Sequence, residues 1–322
     1  MSVVRLLFIM DPPDRVDIDR DTTFSIMLAA QERGFRVAHT RREWLWHEGG
    51  RTFCRWHRAR VARKPKPEHI SLAAPEEGQL EDHDAVLVRS DPPFDLDYVK
   101  LTWLLDSVDP SRTFVMNEPR GIREASEKLF TLRLPELTPP QIVTRDMGRL
   151  ELFLEKMGGA MVVKPIDWMG GYGVFVVRSD DKNRSAILEV STREGRDLVV
   201  AQAYLPEARE GDKRILILDG RPLGAVLRVP ASGEHRGNIH VGATTKQARL
   251  DEHDMRICKD LAPHLRAHGL HFVGIDVIGG KLTEVNVTSP TGIQEIGRLD
   301  GVSLENEVLD FIASRLPASP RA

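Results

Sequence analysis

Cysteine is nearly absent, with two in 322 residues, Cys54 and Cys258. They sit in no CxxC spacing, which excludes a disulfide framework and a thiolate zinc site and fits a reducing cytoplasm. No apolar run approaches the roughly 20 residues of a membrane span. The opening VVRLLFIM is too short for a signal-peptide core and lacks a small-residue cleavage site. Excess charge is missing too, since 45 Lys and Arg stand against 48 Asp and Glu. That balance argues against a broad nucleic-acid or membrane footprint. GxxxxGK[ST], GxSxG, HExxH and the kinase signatures are all absent, which sets aside the chemistries they carry. A glycine-rich turn after the first strand is also lacking. DPPD stands there instead, which disfavours a dinucleotide-dependent oxidoreductase.

What remains is an ordinary globular composition, 41% hydrophobic and 29% charged. The length suggests two domains, or one with a large insertion. Residues 3–10 read as a strand buried on both faces. A helix follows in RDTTFSIMLAAQERGF, with Asp21 and Thr22 as caps and Gly34 as its stop. FRVAHT is the next strand, so the chain opens β-α-β and predicts a parallel sheet. Residues 63–84 read as a surface excursion. DAVLVRS, DLDYVKLTWLLDSV and TFVMNEP then read as strand, helix and strand. Two strands end in similar polar elbows, MDPPD and RSDPPFD. Ligands of open α/β sheets bind beyond the carboxyl ends of strands, which makes Asp11 and Arg89 candidate contacts.

From about residue 140 the pattern turns to antiparallel strands with helices. AMVVKP, GVFVVRS and LVVAQAYLP are strands, and a hairpin turns at Asp219-Gly220. In KPIDWMGGYGVFVV, Lys164 ends a strand and a glycine loop follows. Freed backbone amides can cradle phosphate oxygens there, and the lysine adds a point charge. In GIDVIGGKLTEVNVT, Glu284 and Asn286 lie two apart on a strand and share a face. Leu282 breaks the alternation on the apolar face. Oxygen donors gathered on a sheet face suit Mg²⁺, and Asp276 can join from the partner strand. A two-residue Gly279-Gly280 loop would put Glu284 on the wrong face. The pattern therefore predicts an odd loop, Gly279-Gly280-Lys281. Arg214, Arg228 and Arg236 lie where arginines could converge on an anion. Lys128 reads as a helix lysine.

These runs, with NEPRGIREASEKLF, GDKRILILDG and RGN, resemble the bacterial glutathione synthetase family of ATP-grasp ligases, over nearly the whole chain. The resemblance implies an α/β fold, an N-terminal open parallel sheet domain followed by an ATP-grasp α+β region. It implies three segments: an N-terminal substrate domain at 1–121, a central lid subdomain at 122–205 and a C-terminal catalytic subdomain at 206–322. It implies ATP contacts from Lys128, Lys164 and Arg214, from a loop with Gly170, Gly171 and Gly173, and from Gln202, Tyr204 and Leu205. Asp276, Glu284 and Asn286 would hold two Mg²⁺, with Mn²⁺ as a substitute. Arg228, Arg236 and Asn238 would face the transferring phosphate. Asp11, Arg89 and Ser289 would meet a peptide substrate.

The implied reaction joins γ-glutamylcysteine to glycine through an acyl phosphate, giving glutathione, ADP and phosphate, in a cytoplasmic homo-oligomer. Acyl phosphates hydrolyse, so a lid must exclude water, and residues 230–246 are long, small and polar enough to be one. Alternatives are an ATP-grasp peptide ligase with another donor or acceptor, and a nucleotide-binding protein without catalysis. The joint presence of two lysines and three metal-type ligands speaks against the second.

Overall fold

A computed structural model describes residues 3–168, 170–231 and 243–317. Most of the expected lid, including Arg236 and Asn238, lies outside the described residues.

The first sheet is built on parallel strands β1 (Arg5–Ile9), β2 (Arg36–Thr40), β6 (Ala85–Val88) and β7 (Phe114–Met116). Antiparallel strands β3 (Leu45–Glu48), β4 (Arg51–Val61) and β5 (Ile70–Gln79) extend it beyond β2. Half of the expected surface excursion is therefore strand. β5 contains Pro75 and Gly78, poor strand residues, but it pairs with β4 alone and shifts register near Pro75. An edge position beside a bulge tolerates a proline that a central strand would not. Leu6, Leu7, Phe8 and Ile9 are all fully buried, because α1 (Thr22–Glu32) covers one face and α2 (Leu96–Leu105) contributes core residues to the other.

The second sheet is antiparallel, in the order β10 (Phe175–Arg178), β9 (Ala160–Pro165), β11 (Val199–Ala203), β8 (Gln141–Thr144). α4 (Met147–Lys156) packs on it through Leu150 and Leu154, and α5 (Arg184–Thr192), absent from the sequence reading, adds Leu188. The third sheet is also antiparallel, in the order β14 (Thr244–Gln247), β13 (Arg221–Val229), β12 (Asp212–Leu218), β15 (Phe272–Ile278), β16 (Lys281–Asn286). α6 (Glu252–Ala267) lines its core with Ile257, Leu261 and Leu265.

The third sheet is not independent of the first. After β16 the chain forms α7 (Ile293–Asp300), also missed in the sequence, and α8 (Leu304–Arg315). Val308, Leu309 and Ile312 of α8 share one buried cluster with Phe24 and Met27 of α1. α3 (Pro119–Glu124) follows β7, and between them Asn117 joins the sheets. Its Nδ2 donates to the carbonyls of Phe272 and Val287 at 2.8 Å each, and its Oδ1 accepts from the Phe272 amide at 2.8 Å. A buried amide satisfied on both ends fixes the relation of the two sheets, because breaking it leaves orphaned polar groups.

The β15–β16 hairpin departs from the expected loop. Ile278 pairs with Lys281, so the loop has two residues, Gly279 and Gly280, at φ 54° and 69°. Two successive positive φ values are the geometry of a tight hairpin turn, which glycine adopts without strain. Val277 then faces Leu282, but Asp276 faces Glu284, with Thr283 as the extra residue of a bulge. The bulge restores the parity that the short loop would lose. It also explains why Leu282 breaks the alternation. Thr283 donates through its hydroxyl to the Asp276 carbonyl at 3.1 Å.

Candidate active site

The carboxyl end of β6, the start of α1, the facing surfaces of the second and third sheets and residues 288–291 enclose a cavity of about 440 Å³. At one end Val162, Val174, Val176, Leu205 and Ile278 form an apolar slot beside Tyr204. Gly170 and Gly171 line the cavity next to it; Gly173 does not. A Cβ on Gly173 would come within 2.8 Å of the Pro165 ring, so this residue serves the close approach of loop and strand.

Two lysines project into the middle of the cavity. Lys164 ends β9 and donates to Gln202 Oε1 on β11 at 2.7 Å. Burial lowers its proton affinity, the nearby Glu284 opposes that, and Lys128 adds to it. Lys128 is not on a helix, because α3 ends at Glu124. It sits in a turn with 5% exposure, donates to the carbonyl of Ile166 at 3.2 Å and pairs with Glu284 at 3.3 Å. The glycine-loop backbone and the third sheet thus meet on one ammonium group.

The floor is a buried charge network on adjacent strands. Asp276 accepts from Arg214 Nε at 2.6 Å and Nη2 at 3.1 Å, and Arg228 Nη2 lies 2.9 Å from its Oδ1. Asn286 donates to its Oδ2 at 3.4 Å. Burial alone would raise the Asp276 proton affinity, but the two guanidinium groups outweigh it and hold the carboxyl well below the usual range. Arg228 also donates to Asp212 at 2.5 Å. Burial pushes Asp212 up to about 6 in spite of that arginine. Burial also raises Glu127, with repulsion from Glu284 adding to it, while its Oε1 accepts from the hydroxyl of Thr288 at 2.9 Å. Asp212 and Glu127 line the cavity and were missed in the sequence. Asp212 carried a signal, since it lies two residues before Arg214 on one strand face.

The predicted residues mostly converge. Gln202, Tyr204, Leu205, Arg89 and Ser289 line the cavity, as do Lys128, Lys164, Arg214 and Arg228. Asp11 stands apart from it. Its Oδ2 accepts from the Asp91 amide at 2.8 Å, which bridges the two polar elbows as a structural clamp. The acids that do line that end are Asp17, Asp21 and Asp91.

A metal fits the donor set in a limited way. Among the described residues no three His, Cys, Asp or Glu gather as a complete ligand shell. Asp276 and Glu284 are direct cross-strand partners and Asn286 follows two residues on, all oxygen donors. Each carboxylate is at present neutralised by cationic side chains. Two carboxylates completed by substrate oxygens and water suit a small hard cation such as Mg²⁺.

The fold matches those of solved structures at low sequence identity. D-cycloserine synthetase DcsG aligns with a TM-score of 0.65 at 15% identity, covering 95% of this chain and 99% of that one. The ATP-grasp ligase PsnB with its minimal precursor aligns at 0.63 and 15% identity, covering 98% and 100%. The fold is therefore that of the ATP-grasp ligase PsnB and of DcsG. Residues 4–123 match the prokaryotic glutathione synthetase N-terminal domain and residues 127–301 its ATP-grasp domain. Glutathione synthetase of Synechocystis sp. is 41% identical over 319 residues, covering 96% of this chain and 99% of that protein. That of Vibrio parahaemolyticus is 39% identical over 315 residues, covering 98% and 99%. The chain belongs to the prokaryotic glutathione synthetase family and is an ATP-dependent carboxylate–amine ligase. Enzymes of this kind use ATP and a divalent metal.

Proposed function

We propose that this enzyme joins γ-glutamylcysteine to glycine, with ATP converting the cysteine carboxylate to an acyl phosphate. The carrying observation is the convergence of Lys128, Lys164, Arg214 and Arg228 with Asp276, Glu284 and Asn286 in one cavity. Within segments 1–121, 122–205 and 206–322, that cavity draws residues from all three.

The adenine occupies the apolar slot, where Tyr204 and Leu205 offer backbone groups. Lys164 and Lys128 meet the phosphates, beneath the backbone of Gly170 and Gly171. A carboxylate oxygen of the peptide attacks the γ-phosphorus, the bond to the β-phosphate oxygen breaks, and ADP leaves. Charge gathers on the equatorial phosphoryl oxygens, where Arg228 and Arg214 are aimed before the reaction starts. Asp276, Glu284 and Asn286 would hold Mg²⁺, in two ions by this reading and replaceable by Mn²⁺, and the metal would supply neutralisation of phosphate charge. The amine of glycine then attacks the acyl carbon, phosphate leaves and an amide forms. Two free buried thiols fit a cytoplasmic enzyme, and a homo-oligomer is the expected assembly.

The test is phosphate release from Mg-ATP and γ-glutamylcysteine with each of the twenty amino acids. Release with glycine, and formation of glutathione, is the expected result. Release only with another amino acid would move the enzyme to a different peptide ligase.

A further inference from the structure

β16 is the last strand of the third sheet, so among the described strands one row of its backbone groups faces no neighbour. The segment after α3 takes up that row. The Leu282 amide donates to the Leu137 carbonyl at 2.9 Å, and the Val285 amide to the Glu127 carbonyl at 2.9 Å. The next amide on that edge, that of Val287, donates to Glu127 Oε1 at 3.3 Å. The Thr288 hydroxyl donates to the same oxygen at 2.9 Å. Val287 and Thr288 are both buried. The Glu127 side chain thus stands where an adjoining strand would present its next carbonyl.

Asn286 lies between the two amides that Glu127 holds, and Glu284 precedes them. Lys128, next in the chain, pairs with Glu284 at 3.3 Å and donates to the Ile166 carbonyl, before the glycine loop, at 3.2 Å. Residues 127 and 128 therefore tie the edge of β16 and its oxygen donors to a phosphate lysine and to the second sheet. Glu127 lines the cavity, but its Oε1 is already committed to two donors.

We propose that Glu127 is a positioning residue: as a hydrogen-bond acceptor it fixes the backbone on both sides of Asn286, and with it the spacing from Glu284 and Asn286 to Lys128. This rests on the proposed function, in which those residues meet a metal–nucleotide complex. Groups that orient a metal's ligands control its affinity by about 10- to 100-fold. The acceptor is what counts here and not the charge, because Glu284 repels the carboxylate. A neutral amide oxygen at the same reach serves the same two donors.

The experiment separates reach from charge. Glu127→Gln keeps the oxygen in place and removes the charge. Glu127→Asp keeps the charge and withdraws the oxygen by one methylene. Calorimetric titration of each full-length protein with ADP in excess Mn²⁺ gives the affinity. Glu127→Gln should stay within about threefold of wild type, and Glu127→Asp should lose about 10-fold or more. Unfolding midpoints without nucleotide are measured alongside. A lowered midpoint in Glu127→Asp with wild-type affinity would make Glu127 a purely structural anchor and overturn the proposal. A tenfold loss in Glu127→Gln would make the charge itself the contribution, as in a direct metal ligand, and would also overturn it. Both outcomes leave the proposed function intact. No binding of Mn²⁺–ADP by wild type overturns the metal-nucleotide reading of the proposed function, and the positioning role with it.

Discussion

Asp21→Asn should make the protein more stable, and the gain should depend on pH in a defined direction. Burial moves the Asp21 carboxyl from 3.8 to about 6, with the Phe24 amide and Arg89 opposing and Asp91 assisting. The folded value thus lies above the unfolded one, so the native state holds its proton longer. Below the unfolded value both states are protonated and no penalty exists. Between the two values the fold loses stability as pH rises, and above about 6 the penalty is complete. At about 1.4 kcal/mol per pH unit the full penalty is about 3 kcal/mol, and at pH 5 about half of it has developed. Asparagine keeps an acceptor for the Phe24 amide, and as a helix cap it equals aspartate. The variant should therefore exceed wild type by about 1.6 kcal/mol at pH 5 and about 3 kcal/mol at pH 8. Urea unfolding of both proteins at the two pH values gives the difference of differences directly. A gap that does not widen with pH, or a variant less stable than wild type at pH 8, would refute the reasoning.

If Lys164 meets the phosphates as proposed, Lys164→Ala should lower turnover by about 10²-fold. It also strips Gln202 of its donor at 2.7 Å, so a stability loss of about 1 kcal/mol accompanies it; wild-type turnover in the folded variant would dismiss the role. Asp276→Asn leaves two buried guanidinium groups short of a carboxylate. Removing one partner of a buried pair costs about 3–5 kcal/mol, and the retained amide keeps the loss near the lower figure. Thermal unfolding without nucleotide reads this, and an unchanged midpoint would mean the arginines do not depend on Asp276.

How much of this could be read from the chain depended on where local pattern and tertiary demand agree. β1 is apolar at every buried position, the Asp219-Gly220 turn has positive φ at both residues, and Asp21 caps its helix. Each of these is decided by residues close in sequence. β5 was missed because its exposed PEEG stretch has no alternation, and only its partner β4 makes it a strand. α7 is eight residues long and contains Gly297, a weak helix on its own. It is held by Ile293 and Ile296 packing into the cluster shared with α1. Nothing local to IQEIGRLD announces that burial.

The site shows the same division more sharply. Glu284 and Asn286 share a face by alternation, so their pairing was open to sequence reasoning. The bulge at Thr283 that brings Asp276 opposite Glu284 was not, because a bulge repays its cost only once both strands are in place. Asp11 and Asp21 make the point from the other side. Both follow the first strand within a few residues, and proximity to the strand end favoured Asp11. What separates them is a neighbour 80 residues away: the Asp91 amide donates to the Asp11 carboxylate and holds it between the two elbows, away from the cavity lining. Asp21 sits instead at the start of α1, lines the cavity and interacts electrostatically with Arg89. Strand ends mark where a ligand will sit. Which acid lines the cavity there is decided by contacts between residues far apart in the chain.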